Sequence, residues 1–169
     1  MIARFKITNE DLIAQQEDAV DSTKIHRKNK FMQSILGLLL ILFVFYIADF
    51  TGEQLIIGLI TYVIVIPFMN RIVYKKLYIS NYKRMYLKEQ KNRIGDVTLT
   101  LSEDKLIRES ERTTERVMWT DINKVTEDQE RYFLYLTGLN AIIIRKRPDN
   151  MDDQELVKYQ EFLRRKLFN

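Results

Sequence analysis

Apolar residues fall into two kinds of pattern along this chain. From Phe31 to Ala48, and from Leu55 to about Val73, they run almost without interruption; elsewhere they alternate or recur at helical spacing. Eighteen helical residues, at about 1.5 Å each, reach roughly 27 Å, close to the hydrocarbon thickness of a bilayer. Each run is therefore long enough to cross one. The stretch between them, Asp49-Phe50-Thr51-Gly52-Glu53-Gln54, has no room for a domain. The pair reads as a transmembrane helical hairpin, 31–73, with spans 31–48 and 55–73 and both chain ends in one compartment. A chain of 169 residues has no other element large enough to wrap two uniformly apolar helices, which argues against a buried soluble hairpin. Pro67 removes one backbone hydrogen bond and predicts a kink, read as a tolerated transmembrane proline in preference to a hinge. Gly37 and Gly58 would let the spans approach closely.

The flanking patterns are different. Ala3 to Thr8 alternates as a short strand, and Thr8 or Asn9 then caps a helix carrying Leu12, Ile13, Gln16 and Val20, with a bend near Asp21-Ser22-Thr23 before the first span. Residues 1–30 form this N-terminal unit. After the second span Tyr74, Tyr78, Tyr82 and Tyr86 recur every four residues, which predicts a basic juxtamembrane stalk helix over 74–91. Tyr82 and Tyr86 are expected to pack on the N-terminal helix or the soluble domain. From Asp96 the period becomes two, with Val97, Leu99 and Leu101 alternating with threonines, and further strands are predicted at 105–109, 115–119, through Val125, 132–137 and 141–146. Thr120-Asp121-Ile122 breaks the alternation as a single helical turn. Pro148-Asp149-Asn150 ends the sheet and caps a last helix whose buried face is Leu156, Tyr159, Leu163 and Leu167. Trp119, Ile122, Val125 and Leu163 are the expected core contributors. The fold class is α+β: a two-helix transmembrane hairpin plus a small antiparallel meander or barrel over 92–169, closed by the C-terminal helix in the manner of a pleckstrin-homology-like domain. Ala3 to Thr8 is expected to add a seventh strand and cover an open edge.

Charge then orients the hairpin. The chain is formally +4, but the excess lies in residues 24–91, whereas residues 92–169 are near neutral. Lys24, Arg27, Lys28 and Lys30 precede the first span, and Arg71, Lys75, Lys76, Lys83 and Arg84 follow the second; the connecting loop has only Asp49 and Glu53. By the positive-inside bias both termini are cytoplasmic, and a multi-pass cell-membrane location follows. Basic residues gathered at a membrane surface, and absent as a groove on the folded domain, exclude nucleic acid as partner and point to anionic lipid at the Lys/Arg flanks.

The order of these features resembles the bacterial YcxB-like family. The resemblance is carried by Phe5-Lys6-Ile7-Thr8-Asn9-Glu10-Asp11, the glycine-led strand at Gly95, Trp119-Thr120-Asp121-Ile122-x-x-Val125, and the strand ending Ile144-Arg145-Lys146-Arg147. Leu12 stands where that pattern usually has an aromatic. The resemblance implies the strand, helix, hairpin and pleckstrin-homology-like order, and no activity.

The inventory for catalysis is thin. Cysteine is absent, and the one histidine, His26, sits among Lys24, Arg27 and Lys28, whose charges disfavour its protonation and its use as a base. No glycine-rich phosphate loop, nucleophile elbow or paired metal ligands occur, and helix capping accounts for Asp149, Asp152 and Asp153. The expectation is no catalytic residue, no cofactor and no metal. The candidate lipid or partner surface is Lys75, Lys76, Tyr78, Lys83 and Arg84 on the stalk, with Arg145, Lys146 and Arg147 at the sheet rim. Two readings follow: a non-catalytic membrane-anchored adaptor presenting its cytoplasmic module to a protein partner or to copies of itself, and, as the alternative, a membrane-state sensor or peptide-protection factor that binds anionic lipid.

Overall fold

The computed structural model describes residues 1–48, 51–86 and 93–168. The hairpin-loop residues Asp49 and Phe50, the Arg71 side chain, the distal stalk expected over 87–91 and residue 92 lie outside the described residues.

The organising feature is one strand pair. β1 (Ile2–Ile7) lies antiparallel to β2 (Gly95–Leu101), in register from Ile2 opposite Thr100 to Ile7 opposite Gly95. Among the described residues, four α-helices occur in the excursion between these strands: α1 (Asn9–Ser22), α2 (Lys24–Ile47), α3 (Gly52–Phe68) and α4 (Tyr74–Asn81). The chain therefore leaves the sheet at Ile7 and returns to the same place at Gly95. Alternation explains the pairing: Ala3, Phe5 and Ile7 are buried on one face with Val97, Leu99 and Leu101, and their neighbours face outward. The expected seventh strand is present.

β3 (Lys105–Ser110) and β4 (Thr114–Met118) extend this sheet in the order β1-β2-β3-β4. A 3₁₀ turn at Trp119–Asp121 then turns the chain, and β5 (Lys124–Glu127), β6 (Arg131–Thr137) and β7 (Asn140–Arg145) make a second antiparallel sheet. Of the meander or barrel expected, the structure has two antiparallel meanders and no closed barrel. No ladder joins β4 to β5 or β7 to β1 among the described residues; isolated bonds bridge the sheets instead, Asp149 N–H to the Arg4 carbonyl at 2.8 Å and Arg4 N–H to Asn150 Oδ1 at 2.6 Å. The cause is the 3₁₀ turn at one seam and Pro148, which has no N–H to donate, at the other.

Residues Tyr132–Tyr135 and Ala141–Ile144 are buried without alternation, because their sheet is covered on both sides. Arg131 and Tyr135 reach α1 from one face, and Tyr132 meets Phe168 of α5 (Asp153–Phe168) from the other. Tyr159 and Leu163 of α5 are fully buried, and the Tyr159 hydroxyl donates to the Arg145 carbonyl at 2.8 Å. The cap of α5 is Asp152, whose Oδ1 accepts the Glu155 N–H at 2.8 Å; Asn150, read as part of the cap, instead bonds to β1.

α2 is the one described helix both long and apolar enough to cross a membrane. α3 is a shorter apolar helix of 17 residues. Just beyond Pro67 it passes into a π-helical turn, Met69–Val73, and a second such turn, Tyr82–Tyr86, follows α4; the intervening backbone stays helical. α2 and α3 pack at their glycines. Tyr62 lies on Gly37, and the Phe45 ring occupies the space where a Cβ on Gly58 would stand. Asn70 Nδ2 donates to Ser34 Oγ at 2.7 Å across the same contact. Outward from the pair, Leu36, Phe43, Ile57, Val63 and Phe68 are each more than 60% exposed.

Phe5→Ala should cost about 3–5 kcal/mol, as for other fully buried phenylalanines, read as a lower thermal midpoint of the whole chain. An unchanged midpoint would show that β1 is dispensable to the sheet.

Candidate functional site

α1 is where the helical excursion meets the sheets, and its sequence carries an uncommon stripe. Asp11, Gln15, Asp18 and Ser22 follow spacings of four, three and four residues, so they share one helix face. That face lies on β5, β6 and β7. Asp18 Oδ2 accepts from the Tyr135 hydroxyl at 2.7 Å, from Thr126 Oγ1 at 2.6 Å and from Ser22 Oγ at 3.0 Å. Lys124 Nζ donates to the Ser22 carbonyl, and Gln15 Nε2 to the Leu139 carbonyl at 3.3 Å. Burial, then the bond to Asp18, push the Tyr135 hydroxyl pKa well above its ordinary value, so it acts as a donor throughout the working range.

Asp11 is the centre of the stripe. It is fully buried and accepts from Arg131 Nε at 2.5 Å and from Arg145 Nη2 at 2.9 and 3.1 Å. Its Oδ2 also accepts the Thr8 N–H at 2.7 Å, while Thr8 Oγ1 caps the Asp11 N–H, a reciprocal cap at the start of α1. Burial alone would raise the Asp11 pKa, but the hydrogen bonds from Arg131 and Arg145, then from Thr8, outweigh it and hold the carboxyl below its ordinary range. One carboxylate thus ties the end of β1 to two strands of the other sheet.

On its opposite side α1 grips the emerging helices. Asp21 pairs with Lys75 at 2.7 Å and lies 3.9 Å from Lys30, and the Tyr78 hydroxyl donates to Gln16 Oε1 at 3.2 Å. Thr23 is extended and breaks α1 from α2 at the bend read from the sequence. His26, which precedes the apolar stretch, is almost fully buried: Nδ1 lies 2.9 Å from the Tyr74 hydroxyl, and the ring meets Tyr78 edge-on at 4.5 Å. Burial, ahead of the Lys30 charge, pushes its pKa down. The sequence pointed to the charges of Lys24, Arg27 and Lys28; burial is the larger cause, and the charge that acts is that of Lys30. Tyr74 stacks on Tyr78 and Tyr82 on Tyr86; Tyr82 is buried, and Tyr86 is half exposed.

The structure separates the eight candidate surface residues into two groups. Lys76, Lys83 and Arg84 are exposed on the stalk, whereas Lys75 and Tyr78 are engaged by α1. At the rim, Arg145 is committed to Asp11. Lys146 is held by Glu127 and the Asp128 carbonyl, both at 2.6 Å, and lies over the Tyr132 ring; Arg147, largely exposed, reaches Asp153 at 3.5 Å. Among the expected core residues Leu163 is fully buried. Trp119 and Ile122 are half-buried at the margin, with Trp119 edge-on to Phe162 and its Nε1–H donating to the Ser102 carbonyl at 2.9 Å; Val125 is half-buried on a peripheral strand. Sequence reasoning missed the Asp11, Gln15 and Asp18 stripe. Its four-three spacing was the available signal.

A family model described as YcxB-like protein matches residues 101–163, from the last residue of β2 to Leu163 in α5. The resemblance read from the sequence is shown over that stretch. No curated protein and no solved structure matches the chain.

Asp11→Ala leaves two guanidiniums without their buried carboxylate and should cost about 3–5 kcal/mol, read by chemical denaturation; a loss below about 1 kcal/mol would place the joint elsewhere. The pH dependence has a definite sign. A carboxyl held below its unfolded value of 3.8 contributes stability that is complete above that value and is lost as pH falls through the folded pKa. Thermal midpoints should therefore fall below about pH 4, and Asp11→Asn should remove that part of the acid sensitivity.

Proposed function

We propose that this chain is a non-catalytic membrane-anchored adaptor, in which a two-span hairpin fixes a cytoplasmic pleckstrin-homology-like module beside the bilayer and presents it to a protein partner. The observation that carries this reading is the β1–β2 pair. The apolar excursion starts and ends on two hydrogen-bonded strands, so its crossings of any membrane must be even in number. α2 supplies one. The return is supported by the helical backbone continuing from α3 through Met69–Val73, which gives Leu55–Val73 about 28 Å of helix at 1.5 Å per residue. From Phe31 to Ile47 and from Leu55 to Phe68 the exposed side chains are apolar apart from Gln33, Tyr46 and Thr61, as lipid requires and water opposes. The positive residues on either side of the pair favour cytoplasmic termini.

The adaptor reading also draws on the rigidity of the joint. α1 is bonded to the second sheet by Asp11 and Asp18 and to α4 by Asp21 and Gln16, so the module is held to its anchor with little freedom to swing. Its surfaces for a partner are exposed Lys76, Lys83 and Arg84 of the stalk, with Arg147 at the rim. The sensor reading rests on a different observation: α4 is flanked by two π-helical turns, a local irregularity that tolerates a shift of register in response to the lipid around the spans.

The chain has no native cysteine, so single substitutions report topology directly. An impermeant maleimide should label Glu53→Cys in intact cells, and Lys76→Cys and Gln154→Cys only after permeabilisation. Labelling of Lys76→Cys from outside would rule out the hairpin. Photocrosslinkers at Lys76, Arg84 and Arg147 should then capture a discrete protein; lipid adducts alone would favour the sensor.

A further inference from the structure

A cavity of about 700 Å³ lies between the two sheets, lined by β1, α1, β3, β4, β6 and β7 and, among the described residues, by none of α5. It occupies the gap that a closed barrel would have filled. Its wall is apolar at Leu12, Val117 and Ile142 and carries three arginines, Arg93, Arg108 and Arg116, against one carboxylate, Glu115; of the three, Arg93 and Arg108 are the less exposed. Its size suits a small molecule, for which sites of roughly 300–1,000 Å³ are usual.

The two arginines are placed by different parts of the fold. Arg108 stands on β3 two residues from buried Leu106 and therefore on the same inward face. It is 7% exposed, and the carboxylate opposite it, Glu115, reaches it at only 3.5 Å from a half-exposed position. A buried cation ordinarily has closer compensation than that. Arg93 lies just before β2, and its Nη2 donates to Gln15 Oε1 and to the Ala141 carbonyl, both at 3.0 Å, which aims it across the gap between α1 and β7. Burial first, and then the charge of Arg108, lower its pKa against the opposing influence of Tyr82 and Glu115. Three arginines against one glutamate beside an apolar wall give the cavity a net positive lining, which suits an anion with an apolar body.

We propose that this cavity binds a small organic anion, its carboxylate or phosphate head held by Arg93 and Arg108 and its short apolar body seated against Leu12, Val117 and Ile142. The site is independent of the adaptor reading and would add a ligand to it. Guanidinium forks suit both kinds of oxyanion. The head comes either from a soluble metabolite or from a lipid.

The whole chain in phosphatidylcholine nanodiscs, titrated with phenyl phosphate against empty discs, tests this. One saturable site is expected, at least tenfold weaker for inorganic phosphate, which lacks the apolar body. Arg108→Gln should weaken phenyl phosphate binding at least tenfold. Because that variant changes a buried group, Leu136→Trp supplies a second test: it keeps both arginines, fills the cavity and should abolish binding, while Arg147→Gln at the rim should bind as the unsubstituted chain does. Competition by phosphatidic acid in the disc would assign the head to lipid, and its absence to a soluble anion, binding itself supporting the site in either case. Absence of saturable binding, or equal binding by Arg108→Gln and Leu136→Trp, would overturn the proposal.

Discussion

The Asp11 carboxylate is the contact on which the rest of the molecule depends. It sits three residues after the N-cap of α1, four residues from the end of β1, and it receives a guanidinium from β6 and another from β7. Two sheets that share no ladder are joined through it, and α1 is set at a fixed angle across the second sheet. An ion pair this deep has a large desolvation cost, offset here because Thr8 and both arginines satisfy the carboxylate oxygens with hydrogen bonds. Its consequence is geometric definition more than net stability.

From that joint the architecture follows outward. α1 is a buried connector with sheet on one side and helix on the other, which explains why its polar residues lie inside the molecule. Gln15 reaches Arg93, Gln16 reaches Tyr78, and Asp18 serves β5 and β6 at once. The helical hairpin then starts and ends beside the β1–β2 pair. The position of α2 and α3 is thereby coupled to the sheets through α1, which bonds to α4 on one side and to the second sheet on the other.

The open gap between the sheets originates at their two unpaired seams. A closed barrel would have needed both β4 paired with β5 and β7 paired with β1, and the 3₁₀ turn after Met118 and the proline after Arg147 interrupt the two seams. The space left is neither collapsed nor purely apolar, because Arg108 replaces what would be a hydrophobic residue on the inner face of β3.

Much of this molecule was legible in one dimension. Period two gave β1, β2 and β3, because a half-buried strand must alternate; unbroken apolar runs gave the two apolar helices; and Thr8 or Asn9 as a cap marked the start of α1, because capping is local in sequence. What could not be read were interactions between residues far apart. Arg145, Lys146 and Arg147 look like a basic rim in sequence, and only the fold brings Asp11, Glu127 and Asp153 to them. Trp119 looks central and is marginal, since the turn it opens lies at a seam. Local periodicity and capping are decided by neighbours within a few residues and so belong to the sequence; charge pairing, sheet closure and the cavity depend on which strands meet, and the tertiary structure alone decided those.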